Sequence, residues 1–308
     1  MKNGNAPLRA HLSMFTAEAI WGFMAPIAKD AMNTGFDGIS VVSFRVAGAA
    51  ILFWAASLLA PREHIPVKDI LKLAGAAVFG IVFNQCLFNI GLSITSPVNA
   101  SIVTTSMPIF AMALSFLILK EPITWKKALG VAIGCCGALI LILSSANAGN
   151  AKVGNIHGDL MCIFAQFSFA LYLALFNPII RKYNVFTVNK WMFTWASLFI
   201  LPFSTWHVSQ LPWASFTTAT WLEVGYVVIL GTFVCYLLSV VAQGILRPTV
   251  VSVYNYVQPI ISVVVSVAVG MSVFTLSQGV AVILVFTGVW LVIKSKSKRD
   301  VEKEGDRC

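Results

Sequence analysis

Apolar residues run along this chain in long, unbroken stretches separated by short polar breaks. Ten stretches stand out, at about 11–29, 38–60, 70–92, 97–119, 125–145, 157–180, 187–207, 220–243, 248–270 and 276–293. Most approach the roughly 20 residues that a helix needs to span a bilayer. Strands of a membrane barrel would alternate polar and apolar with period two, whereas these runs are continuous and predict helices. The connections are short and leave no room for an inserted soluble domain. The longest internal one, SSANAGNAKVGNIHG over 144–158, is rich in Gly, Asn, Ala and Ser, which is linker chemistry. The pattern predicts a first five-helix unit over 11–145, a linker over 146–156, a second unit over 157–293 and a charged tail over 294–308.

Composition agrees with a membrane-embedded chain. Of 308 residues, 58% are hydrophobic and 11% charged, too little charge to cover a soluble surface of this size. The net charge of +9 does not point to nucleic acid, because the basic residues sit between apolar runs rather than on one soluble face. Their distribution sets an orientation instead. With ten spans both termini share a side, and that side carries eighteen of the 21 Lys and Arg residues, against Lys29 and Lys152 opposite. Arg45 falls inside a span. Positive charge collects in the cytoplasm, so both termini are expected there, in a bacterial inner membrane. Five of the six cysteines lie inside apolar runs, and no Cys/His spacing suggests a metal. The first stretch is too long for a cleaved signal, and it contains Glu18.

The two halves repeat. At an offset of 151 residues, Gly80 meets Gly231, Pro97 meets Pro248, Ser101 meets Ser252, Pro108 meets Pro259, Thr124 meets Thr275 and Gly137 meets Gly288. At 152, Pro26, Ile27 and Lys29 meet Pro178, Ile179 and Arg181. Five is odd, so the second half crosses the membrane in the opposite sense. That is an inverted-topology repeat, an architecture of many secondary transporters.

Four stretches carry a family resemblance. They are AIWGFMAPIAK (19–29), VVSFRVAGAAILF (41–53), SPVNASIVTTSMPIFAMALSFLILKEPITWKKALGVAIGCCGALIL (96–141), and its second-half counterpart over 247–292. Together they resemble the drug/metabolite transporter superfamily in its EamA branch of ten-span exporters. The resemblance implies an all-α polytopic membrane protein of two five-helix repeats around a central cavity. It also implies substrates such as amino acids, other small metabolites or drugs, and no cofactor. The chain departs from its own repeat where Met271 and Ser272 stand opposite Lys120 and Glu121.

Ionisable groups inside a membrane are costly and mark functional candidates. Glu18 lies about 12 Å into the first helix, too deep for a short side chain to reach the surface. It shares a face with Trp21, Gly22 and Ala25 at i+3, i+4 and i+7. It is the candidate for proton coupling; the plain alternative is a neutral carboxyl that ties two helices together. Arg45 is expected as an anchor to carbonyls or a carboxylate, with contact to substrate as the alternative. Its depth differs from that of Glu18 by about 9 Å, which makes a direct ion pair demanding. Glu223 is expected to snorkel to the interface. Tyr254, Asn255 and Gln258 in YNYVQP, with Glu18 and Trp21 in the first helix, Asn84, Gln85 and Asn89 in the third and Gln166 in the sixth, are candidates for a cavity wall. Interhelical hydrogen bonding is the alternative for each. Thr104, Thr105 and Ser106 are weaker candidates. Pro108 and Pro259 predict matched mid-helix kinks, suited either to gating or to a static packing adaptation. The glycines of GVAIGCCGALI (130–140) predict close helix packing, within the chain or across a homodimer.

Other classes fit less well. His11, His64, His157 and His207 lie at span ends or in loops, and no paired Asp or Ser/His set suggests a membrane enzyme. No Walker motif suggests ATP hydrolysis, and no filter-like loop suggests a channel. The alternative within transport is a nucleotide-sugar or sugar-phosphate exchanger, which needs more buried cations than Arg45. The expected partners are a small-molecule substrate, membrane lipid and protons, for a monomer or homodimer.

Overall fold

The computed structural model describes residues 6–95, 100, 103–146, 156–268 and 276–296. Most of the linker, Pro97, Ser101, residues 269–275 and most of the tail lie outside the described residues. Among the described residues, ten helices follow the ten expected stretches. They are α1 (Ala6–Asn33), α2 (Gly38–Ser57), α3 (Val67–Ile94), α4 (Met107–Leu119) and α5 (Trp125–Ala146), then α6 (Ile156–Ile180), α7 (Val185–Ser209), α8 (Thr218–Gln243), α9 (248–268) and α10 (Leu276–Ile293). Of these, α2, α3, α6 and α8 are long and apolar enough to cross a membrane by length and composition. Ile51, Leu58, Leu59, Phe203 and Leu222 are exposed on the outside of the bundle, where lipid tails are the compatible solvent. The fold is an all-α polytopic membrane fold.

Helix ends are closed by local chemistry. Asp37 caps α2: its Oδ1 accepts from the Ser40 amide at 2.6 Å, and Ser40 Oγ accepts from the Asp37 amide at 3.0 Å. His207 near the end of α7 meets the second Asp37 oxygen, so one residue starts α2 and holds α7. Burial works against charge on Asp37, but the Ser40 donors and His207 outweigh it and hold the carboxyl below its usual range. Lys29 on α1 donates to the carbonyls of Leu92 at 2.7 Å and Ser93 at 3.0 Å, neutralising the C-terminal end of α3. Arg181, just past α6, donates to the carbonyls of Gln243 at 3.3 Å and Leu246 at 2.7 Å at the end of α8. The two cations that matched in sequence thus close equivalent helix ends.

Interruptions also recur at matched positions. A π-helical segment spans Val78–Phe83 in α3 and another spans Ile229–Val234 in α8, the same six positions 151 residues apart. In α9 a 3-10 turn occupies Tyr254–Tyr256, and a turn at 105–106 precedes α4. These breaks correct the expectation of proline kinks. Pro108 stands in the first turn of α4, where its missing N–H costs nothing. Pro259 follows the 3-10 turn by three residues, at the start of the helical segment Val257–Ala268. Each proline restarts a helix rather than bending one.

Packing exchanges helices between the halves. α2 packs on α7 and α5 on α10, while α1 packs on α8 and α9 as α6 packs on α3 and α4. At the α5–α10 contact the backbones nearly touch. A Cβ on Gly288 would stand 2.6 Å from the Gly130 carbonyl oxygen, and one on Gly134 would stand 2.5 Å from the Tyr256 ring. The glycine face expected either inside the chain or at a dimer contact is therefore covered within the chain. Gly288→Val should lower the unfolding midpoint in detergent through overpacking of about 1–3 kcal/mol. Gly225→Ala, where no atom lies within 4 Å of the added carbon, should leave it unchanged or raise it.

Candidate functional site

A cavity of about 80 Å³ lies in the middle of the bundle. Its wall is formed by Trp21 and Met24 of α1, Arg45 of α2, Asn84, Gln85, Phe88 and Asn89 of α3, Thr104 just before α4, Gln166 and Phe169 of α6, Tyr236 of α8, and Asn255 and Gln258 of α9. Most of the expected wall residues therefore come together, Trp21, Asn84, Gln85, Asn89, Gln166, Asn255 and Gln258 from four helices.

The π-helical segments shape this wall. A π turn leaves carbonyls without their usual helical donors, so side chains must supply them. Trp21 Nε1 donates to the Gly231 carbonyl at 2.9 Å, and Tyr236 Oη donates to the Gly80 carbonyl at 3.0 Å. Tyr236 spends its proton on Gly80, so it accepts from Gln85 Nε2 at 3.0 Å. That sets the Gln85 amide and leaves its Oε1 buried without a donor. Asn89 Nδ2 donates to the Gln85 backbone carbonyl at 2.8 Å, leaving the Asn89 Oδ1 unpaired as well. Asn84 instead donates to the Ala165 carbonyl at 2.9 Å and joins α3 to α6.

On the opposite wall a directed chain of amides runs toward Glu18. Asn255 Nδ2 donates to the Thr104 carbonyl at 3.4 Å and to Gln166 Oε1 at 3.5 Å. The Asn255 Oδ1 is thereby an acceptor, filled by Gln258 Nε2 at 2.8 Å. The same Nε2 donates to Glu18 Oε2 at 2.6 Å. Glu18 is 2% exposed and stands one hydrogen bond behind the cavity wall, not on it. The structure also moves Tyr254 off the wall. Its hydroxyl lies 2.8 Å from His11 Nδ1, toward the N-terminal end of α1. The 3-10 turn separates it from Asn255 and Gln258.

Arg45 is 3% exposed and lines the cavity. Its Nε donates to Thr232 Oγ1 at 2.9 Å, and Thr232 passes its own proton to the Val227 carbonyl at 2.7 Å. The expected anchor is therefore a hydroxyl, and among the described residues no carboxylate pairs with Arg45. Glu223 is partly buried near the start of α8, and its carboxyl meets that of Asp30 at the end of α1.

Phe88, Phe169, Tyr236 and Thr232 escaped the sequence reading. A signal was present for Tyr236, which stands 151 residues after Gln85 and bonds to it. Asn255 and Thr104 are likewise 151 apart and bonded, as are Ser197 and Val46, whose carbonyl accepts from the serine at 3.2 Å.

A family model described as the EamA-like transporter family matches twice, over residues 8–143 and 156–294. The chain belongs to the EamA-like transporter family. It is a membrane transporter. An uncharacterized transporter of Archaeoglobus fulgidus is 28% identical over 165 residues, covering 54% of this chain and 56% of that protein. The uncharacterized transporter YetK of Bacillus subtilis is 21% identical over 85% of this chain and 79% of its own length. A WAT1-related protein of Arabidopsis thaliana is 22% identical over 94% of this chain and 85% of its own. A solved crystal structure superposes with a TM-score of 0.74 at 16% identity, covering 92% of this chain and 94% of that one. At that identity the likeness concerns the fold alone.

The Tyr236 hydroxyl donates to the Gly80 carbonyl and accepts from Gln85 Nε2, so two groups depend on it. Tyr236→Phe should lower the unfolding midpoint by the equivalent of about 1–3 kcal/mol, because it strands Gln85 Nε2 and the Gly80 carbonyl. Thermal unfolding of the purified protein in detergent measures this.

Proposed function

We propose that this transporter is a secondary-active exporter of small metabolites, amino acids or related compounds or drugs, working by alternating access through the central cavity. The observation that carries the reading is the cavity's position. It is built from both halves, and two of the bonds across it join residues 151 apart, Gln85 with Tyr236 and Thr104 with Asn255. A segment bonds its own counterpart near an axis that relates the two, and such an axis suits a rocking motion about a fixed site. In this reading residues 11–145 and 157–293 are inverted repeats joined by 146–156. The protein lies in a bacterial inner membrane with both termini cytoplasmic, as the basic residues favour. The breaks before Pro108 and Pro259 serve as hinges at corresponding positions.

Glu18 is the coupling residue of this proposal. It is buried, within one hydrogen bond of the wall through Gln258, and has no basic partner among the described residues. It exchanges a proton with the cavity rather than touching the substrate. A sugar-phosphate exchanger is the second reading. It is disfavoured by a small cavity with a single cationic side chain on its wall.

In proteoliposomes, Glu18→Gln should retain the wild-type unfolding midpoint and lose the dependence of flux on an imposed pH gradient. Full gradient-driven flux in that variant would remove Glu18 from coupling. Gln258→Ala, which opens the wall in front of Glu18, should raise the KM for transported substrates several-fold, read from initial rates of uptake.

A further inference from the structure

Among the described residues the cavity holds a cation and no anion paired with it. Arg45 is almost fully buried, and its Nε is taken by Thr232 while the terminal nitrogens of its guanidinium have no protein partner among the described residues. An unpaired buried charge is costly, and a planar guanidinium fork matches a carboxylate or phosphate geometrically. The neutral wall adds a second demand. Gln85 and Asn89, one turn apart on α3, each keep a buried amide oxygen without a donor. Neither amide can turn over to cure this. Gln85 must offer its NH₂ to Tyr236, whose proton is committed to Gly80, and Asn89 must offer its NH₂ to a backbone carbonyl. Unpaired acceptors call for a donor.

Resting on the reading of this cavity as the transport site, we propose that its ligand is a small carboxylate bearing a hydrogen-bond donor. The carboxylate docks on Arg45 and the donor, a hydroxyl or an ammonium, satisfies Gln85 and Asn89. Size and charge limit the class further. A cavity of about 80 Å³ has room for a ligand with a handful of heavy atoms. One cation balances a single carboxylate and leaves a dianionic phosphate half compensated. Phe88 and Phe169 supply apolar wall for a short hydrocarbon body. Hydroxy acids and amino acids share this chemistry. An amine without a carboxylate does not.

The full-length protein, purified in detergent, is titrated by calorimetry with lactate, alanine, ethanolamine and glycerol 3-phosphate. Lactate, alanine or both should bind, and ethanolamine and glycerol 3-phosphate should bind at least about tenfold more weakly than the better carboxylate. Arg45→Gln should weaken carboxylate binding roughly tenfold or more, and Arg45→Lys, which keeps the charge but not the fork, by less. Asn89→Asp separates the two sources: it should favour alanine over lactate, because a carboxylate attracts an ammonium more than a hydroxyl. If Arg45→Gln unfolds, the Arg45→Lys and Asn89→Asp responses carry the test. Wild-type carboxylate affinity in a folded Arg45→Gln, or ethanolamine binding as tightly as alanine, overturns the proposal. Flux measured in proteoliposomes keeps it apart from the transport reading. Transport of amines but no carboxylates sinks the carboxylate site and spares the transporter. Carboxylate binding without flux of any of the four compounds supports the site and sinks the alternating-access reading.

Discussion

Lipid supplies no hydrogen bonds, and the arrangement of this protein follows from that. Every polar group within the bilayer has to find its partner inside the chain. The helices satisfy most of the backbone. Where they are interrupted, side chains take over. The π-helical segments of α3 and α8 free carbonyls at Gly80 and Gly231, and a tyrosine and a tryptophan from the opposite half fill them. The C-terminal ends of the same two helices are closed by Lys29 and Arg181. Polar side chains that cannot face lipid turn inward and collect around one cavity.

The same constraint makes the cavity wall directional. A backbone carbonyl only accepts, so an amide bonded to it has its orientation set, and that orientation passes to the next amide in the chain. From the Thr104 carbonyl the order runs through Asn255 and Gln258 to Glu18. From the Gly80 carbonyl it runs through Tyr236 to Gln85. One wall ends on a carboxyl held behind an amide. The other ends on oxygens that have no donor among the described residues, in the same cavity as an arginine with no acid among them. A site of that kind has a chemical preference before any ligand enters it.

Much of the architecture was legible in the chain. Ten apolar runs became ten helices because continuous hydrophobicity at this length has few other stable forms in lipid. The offset of 151 residues located Gly80 and Gly231, the centres of both π segments, although nothing in the residues announced a π turn. The polar cluster of α3, Asn84 with Gln85 and Asn89, reached the cavity wall. Glu18 and Tyr254 were placed wrongly in detail. Periodicity puts Glu18 on a face with Trp21, but depth behind Gln258 depends on how closely α1 meets α9. Gly22 sets that distance, since a Cβ there would lie 3.0 Å from the Gln258 carbonyl. Tyr254 shares a helical face with Gln258 only if the helix is unbroken, and the 3-10 turn rotates it away. Pro108 and Pro259 showed a disturbance in each helix but not its kind.

By itself the sequence determined the solvent, the number of spans, the repeat and the family, because these depend on hydrophobic length, charge distribution and order along the chain. Tertiary structure decided which polar groups face one another. That choice rests on helix rotation and on separations of a few tenths of an ångström, and neither is written into any single helix. Arg45 reads in sequence as one buried cation among many possible anchors. Only the packing of α2 on α8, which brings it a threonine hydroxyl and, among the described residues, no carboxylate, leaves its charge to be answered from inside the cavity.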